Sequence, residues 1–286
     1  NSSFIPVIQL LDEMEDLEQV ESYIIPVVLV DSATKENLRP AEVRHKHQLI
    51  PKKIHYCWFS GNQMPDYLKR CIDSWYRYCP DYEIICWDEN NYDVNKNLYM
   101  KQAYEAKKWG FVPDIARLDI LYQYGGIYLD TDVELIRNLD DLLNQSAFAG
   151  VEKWGNINMG GCSGAVAHHP IIKKILDFRK EERFLLKDGT LNLTTCGYYE
   201  TLPLMELGMK PNNKIQYLDD FTIYSSDFFH PYDYMSGETH ITQNTHSIHH
   251  FNGGWLNEDK REERERTTLM YQQMLGRMRC ARNGKQ

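Results

Sequence analysis

Two carboxylates two residues apart, Asp130 and Asp132, stand directly after the apolar run Ile127-Tyr128-Leu129. Carboxylates at the exit of a buried strand can hold a hard divalent cation, and such a cation can hold a diphosphate. An Asp-x-Asp pair alone is common in solvated turns, so its surroundings decide the reading. Upstream, Asp114 and Arg117 stand one helical turn apart and face the same way. Near the other end, residues 245–256 read THSIHHFNGGWL and offer His249, His250 and Trp255. Neutral imidazole is a common metal ligand, and an indole N–H is a single donor suited to an oxyanion.

These groups need elements to carry them. Ile115, Leu118, Ile120, Leu121 and Tyr122 give residues after Pro113 an apolar helical face, and Gly125-Gly126 stops that helix. Ile127 to Leu129 is then a short buried strand that delivers the two carboxylates at its end. Before it, residues 50–59 (IPKKIHYCWF) alternate as a first core strand, residues 66–78 form an amphipathic helix, and residues 82–87 (YEIICW) form a second strand. Strand, helix, strand is a parallel α/β unit, which places ligand groups at the carboxyl ends of strands. Residues 98–108 make a further helix, residues 148–151 a strand and residues 215–224 paired strands. Residues 156–164 (NINMGGCSG) read as a polar, glycine-rich loop that approaches something closely.

The order Asp114-x-x-Arg117, Gly125-Gly126-x-Tyr128-x-Asp130-x-Asp132 resembles the core of the family 32 glycosyltransferases. That family groups bacterial capsular-polysaccharide transferases with yeast mannosyltransferases, and the clostridial glucosylating toxins share a similar core. The resemblance extends more loosely over residues 50–256. It implies a GT-A type fold, a Rossmann-like mixed sheet flanked by helices, in a single catalytic domain. It also implies a Mn²⁺ or Mg²⁺ ion at Asp130, Asp132 and His250, and a nucleotide-sugar donor, with a UDP-sugar favoured by analogy. Trp58 and Phe59 are then candidates for stacking on the base, and Asp114 and Tyr128 for the ribose. Arg117 offers a planar fork of donors to sugar or phosphate oxygens. Asn158 is the candidate contact to the transferred sugar, and Trp255 to the β-phosphate.

Composition sets the outer bounds. The chain has 286 residues, 42% hydrophobic and 12% aromatic, enough for a substantial core. A formal charge of −9 argues against a general nucleic-acid binder. Seven cysteines without C-x-x-C spacing fit neither a zinc site nor a secreted disulfide framework, and buried reduced thiols point to the cytosol. No run of about eighteen apolar residues spans a membrane, and the first residues show no signal peptide. Residues 1–49 read as an N-terminal extension, a piece of another domain or an oligomer contact. Residues 257–286 read as a helical tail whose basic end, from Arg277, could touch anionic lipid at the inner face of a membrane or simply be solvated.

The expected function is a metal-dependent, retaining transfer of a hexose from a nucleotide sugar to a hydroxyl of a glycan, lipid-linked or protein-linked acceptor. The resemblance implies surface polysaccharide or glycoprotein glycan synthesis, bacterial capsule included. Two other classes remain open. A metal-dependent nucleotide-sugar hydrolase could use the same carboxylates, and a non-catalytic sugar-binding module would account for the aromatics.

Overall fold

A computed structural model describes residues 47–253, 261–262 and 265–273. Strand β1 (Lys53–Cys57) leads to helix α1 (Asp66–Tyr78), strand β2 (Glu83–Trp87), helices α2 (Leu98–Glu105) and α3 (Pro113–Tyr124), and strand β3 (Gly126–Tyr128). There follow β4 (Val133–Leu135), β5 (Ala147–Val151), β6 (Ile157–Ala165), α4 (Pro170–Phe178) and α5 (Cys196–Met205). The last elements are β7 (Gln216–Leu218), β8 (Phe221–Tyr224), α6 (Ser226–Phe229), the short pair β9 (Tyr232–Asp233) and β10 (Glu238–Thr239), and β11 (Ser247–His249). The expectations for residues 1–46 lie outside the described residues, as do most of those for the tail.

Seven strands make one mixed sheet in the order β2-β1-β3-β6-β5-β8-β7. Successive side chains point to opposite faces, so the sheet carries a core on each side. On one face Tyr128, Ala149, Ile157 and Ile223 pack against Ile115, Leu118 and Leu121 of α3 and Ile172 and Ile175 of α4. On the other, Ile54, Ile127, Phe148 and Cys162 pack against Trp75 of α1, Val133 and Leu135 of β4, and Phe229 of α6. This is the mixed α/β architecture expected from the sequence.

Helix α1 shows how the second face is pinned. Leu68, Cys71, Ile72 and Trp75 are buried at helical spacing. The Trp75 indole donates to the Val133 carbonyl at 2.7 Å, and Ser74 Oγ accepts the Leu135 amide at 2.8 Å. Helix α3 begins with Pro113 in its first turn and ends at Gly125, whose φ of 63° is favourable only for glycine. Gly126 follows at φ 104°, and a Cβ there would lie 2.9 Å from His55 Nε2.

Two elements depart from the sequence reading. Strand β1 does not alternate between core and solvent: Ile54 and His55 are both fully buried, because β2 and β3 flank it and both faces are covered. Burial pushes the His55 imidazole down to about 4, and its Nε2 hydrogen-bonds the Gly125 carbonyl at 2.9 Å. The stretch read as a loop, residues 156–164, falls almost wholly in a nine-residue strand, Ile157–Ala165, buried along its whole length. The glycines of β6 mark neighbours that occupy the space a side chain would need. A Cβ on Gly160 would fall on the Asp130 carboxylate, one on Gly161 on the His230 ring, and one on Gly164 on the Phe148 ring.

Candidate active site

Strands β1, β2 and β3 run parallel, and β6 is antiparallel to both β3 and β5, so β5 and β8 share the direction of β1. The carboxyl ends of these five strands therefore lie along one edge, where open α/β sheets offer ligand positions. Asp130 and Asp132 leave β3 at that edge. The Val133 amide donates to the Asp130 carbonyl at 3.0 Å, closing a tight turn into β4. Strand β11 then pairs antiparallel with β4, setting His249 opposite Val133 and Ile248 opposite Glu134.

The two carboxylates are held differently. The Asp130 amide donates to the Gly160 carbonyl at 2.7 Å, and its carboxylate lies 3.7 Å from Arg117 Nη2. Arg117 is itself buried. It donates to Asp114 Oδ1 at 2.8 Å and to the Pro113 carbonyl at 3.1 Å, and lies 3.8 Å from Glu200 Oε1 and over the Tyr128 ring. Glu200, on α5, is fully buried and accepts the Met159 amide at 2.8 Å. Burial pushes the Glu200 carboxyl up to about 7 against the pull of Arg117, and it pushes Asp114 up as well.

Asp132 is held by the returning strand. His249 Nε2 lies 3.3 Å from its Oδ1, and the Asn252 amide donates to its Oδ2 at 2.9 Å. Burial alone would push the Asp132 carboxyl up, but the His249 imidazolium pulls it down to about 2, and Asp132 in turn holds His249 above the usual histidine range. The turn that presents Asn252 puts Phe251 at φ 48°, a strained conformation for a bulky residue. The Phe251 ring stacks on His249 with centroids 4.0 Å apart.

Asp130, Asp132 and His249 each offer one ligand atom, and these atoms lie within 4.8 Å of one another. Two carboxylate oxygens and one imidazole nitrogen, with no thiolate, form a donor set that fits a divalent cation.

The structure brings Asp114, Arg117, Asp130, Asp132 and Asn158 into one neighbourhood, with several roles altered. His250, the expected metal-side histidine, faces away: its Nε2 is 3.0 Å from Glu134 and the pair is half-exposed. Strand pairing explains this, because His249 shares the buried face of β11 and its neighbour must take the other. Tyr128 and Phe59 are core residues, 1% and 3% exposed, so neither ring is available to a ribose or a base. Trp58 lies just past β1, with its indole N–H given to the Asn62 carbonyl at 2.8 Å. Asn158 is occupied by the protein: its Oδ1 accepts the Gly160 and Gly161 amides at 2.9 and 3.1 Å, and its Nδ2 donates to Glu152 at 2.8 Å. It shapes the irregular stretch of β6 beneath Asp130. Trp255 lies outside the described residues.

Sequence reasoning missed Glu200 and His230, and chose His250 over His249 for the metal side. Glu200 shares the buried side of α5 with Gly197, Thr201 and Leu204, and that spacing was the available signal.

Residues 65–149 match the family described as "Glycosyltransferase sugar-binding region containing DXD motif", a span that includes Asp130 and Asp132. Inositol phosphoceramide mannosyltransferase 3 of Schizosaccharomyces pombe is 29% identical over 198 residues, 63% of this chain and 52% of its own length. Mannosyl phosphorylinositol ceramide synthase SUR1 of Saccharomyces cerevisiae is 34% identical over 155 residues, 51% of this chain and 38% of its own. The chain thus spans about half or less of the length of these two curated relatives. Among solved structures, PaToxG glycosyltransferase aligns over 55% of this chain and 68% of its own, at 19% identity and a TM-score of 0.42.

Proposed function

We propose that this chain is a metal-dependent glycosyltransferase that moves a hexose from a nucleoside-diphosphate sugar to a hydroxyl of a glycan or lipid-linked acceptor. The observation that carries the reading is the convergence of Asp130, Asp132 and His249 at the carboxyl edge of the sheet, with the two aspartates inside a region matching a DXD-containing sugar-binding family. Likeness to the two yeast relatives, an inositol phosphoceramide mannosyltransferase and a mannosyl phosphorylinositol ceramide synthase, favours a mannosyl donor over the UDP-hexose expected from the sequence, and an inositol phosphoceramide-like headgroup as acceptor.

Within that reading each residue has a task. Asp130, Asp132 and His249 hold the cation, which would neutralise charge on the departing diphosphate. Arg117, braced by Asp114 and Glu200, fixes the Asp130 carboxylate from beneath. The Asn252 amide fixes Asp132. A retaining outcome fits a same-face displacement: the acceptor oxygen bonds to the anomeric carbon as the bond to the diphosphate breaks, and the leaving phosphate oxygen takes the acceptor proton.

The test is release of nucleoside diphosphate from GDP-mannose, UDP-glucose and UDP-galactose, with Mn²⁺ or with EDTA. One donor should be turned over only with metal. Asp132→Asn should lower that turnover ~100-fold or more, at least the loss seen on removing an outer-shell partner, while the unfolding transition stays cooperative. Metal-independent turnover, or none with any donor, would sink the assignment.

A further inference from the structure

His230 follows α6 and its side chain is buried against the two central strands β5 and β6. Its berth is made by omitted side chains. A Cβ on Gly161 would overlap the ring, and one on Gly150 would come within 3.3 Å of it. Yet neither ring nitrogen has a hydrogen-bond partner among the described residues. A purely space-filling residue in such a berth would be apolar, since buried polar groups without partners are costly and uncommon.

The neighbouring ring has the complementary defect. His249 turns Nε2 toward Asp132, and its Nδ1 is buried with no partner. The two imidazoles have centroids 5.5 Å apart. The other ring touching both is Phe251, which offers no acceptor. A histidine that binds a metal through one nitrogen needs an acceptor for the N–H on the other, which fixes both tautomer and ring orientation. We propose that His230 is the positioning residue for His249: when a divalent cation occupies the site, His230 accepts the hydrogen bond from His249 Nδ1–H. The inference rests on the metal reading of Asp130, Asp132 and His249.

The experiment measures Mn²⁺ affinity by titration calorimetry for the wild type, His230→Phe and His230→Gln, without any sugar donor. His230→Phe keeps a ring and loses the acceptor, and should bind Mn²⁺ ~10–100-fold more weakly. His230→Gln restores a carbonyl acceptor and should recover part of that loss. A wild type that binds no Mn²⁺ would overturn the metal reading itself. A wild type that binds, with His230→Phe binding equally well, would overturn only the role of His230. A second measurement needs no variant: in the Mg²⁺-loaded wild type, ¹⁵N-resolved NMR should show a slowly exchanging His249 Nδ1–H proton. Its absence would also overturn the proposal.

Discussion

Asp130 and Asp132 are two residues apart and offer the same functional group, but they sit in unlike surroundings. Beneath Asp130, one buried guanidinium faces three carboxylates, Asp114, Glu200 and Asp130 itself, and the backbone of β6 supplies further bonds; Glu200 Oε1 lacks a hydrogen-bond partner among the described residues but lies 3.8 Å from Arg117. Beside Asp132, one imidazole and one amide do the holding, and behind them three ring nitrogens are buried without partners. The first region is close to complete in the protein alone, with one carboxylate oxygen held by charge rather than by a hydrogen bond. The second has hydrogen-bonding capacity left over, as expected where a cation replaces a proton on binding. A site built this way has one rigid wall and one wall that finishes assembling around its ligand.

The largest effect should come from breaking the rigid wall. Arg117→Met leaves Asp114 and Glu200 buried with Arg179, outside ion-pair distance, as their remaining cation, and removal of one partner from a buried charge cluster costs about 3–5 kcal/mol. Urea denaturation measures this directly. A loss below about 1 kcal/mol would place Arg117 among ordinary surface ion pairs and erase the contrast between the two walls.

Glu200 permits a gentler test on the same side. Its carboxyl is raised from 4.5 unfolded to about 7 folded, so between those values the native state binds more protons than the unfolded chain. Stability from this group therefore falls as pH rises from about 4.5 to about 7. Glu200→Gln keeps an oxygen to accept the Met159 amide and removes the titration. The variant should gain on the wild type as pH rises through that interval, read as the difference in urea midpoints. Parallel midpoints across it would show that Arg117 keeps the carboxylate charged throughout.

How far the sequence could reach follows the same division. The path from α3 through Gly125-Gly126 to β3 and its carboxylates is local, set by helical period, glycine and a β-favouring run, and it was legible. Strand β6 was not, because Gly160, Gly161 and Gly164 are small on account of Asp130, His230 and Phe148, which reach them from other segments. Tyr128 and Phe59 read as ligand contacts because an aromatic ring suits a base, a sugar and a core alike. Glu200 is distant in sequence from the arginine that gives it meaning. For the histidine pair, period two showed that the faces differ, but only the pairing of β11 with β4 decides which residue turns inward.

That choice yields the smallest expected effect and the sharpest contrast. His250→Ala removes a half-exposed contact with Glu134, whose side chains are 38% and 43% accessible. Such a pair contributes at most about 1 kcal/mol and loses much of that to salt. Its backbone amide, which donates to the Asp132 carbonyl at 3.1 Å, survives the substitution. Mn²⁺ affinity should therefore stay at the wild-type value in His250→Ala. His249→Ala removes one of three ligand groups and should lose at least the ~10–100-fold expected for an outer-shell partner. Calorimetric titration of the two alanine variants side by side decides between adjacent residues of identical chemistry. If His250→Ala proves the weaker binder, β11 meets β4 one residue out of the register described, and the inward face of the strand, with His230 behind it, is assigned to the wrong histidine.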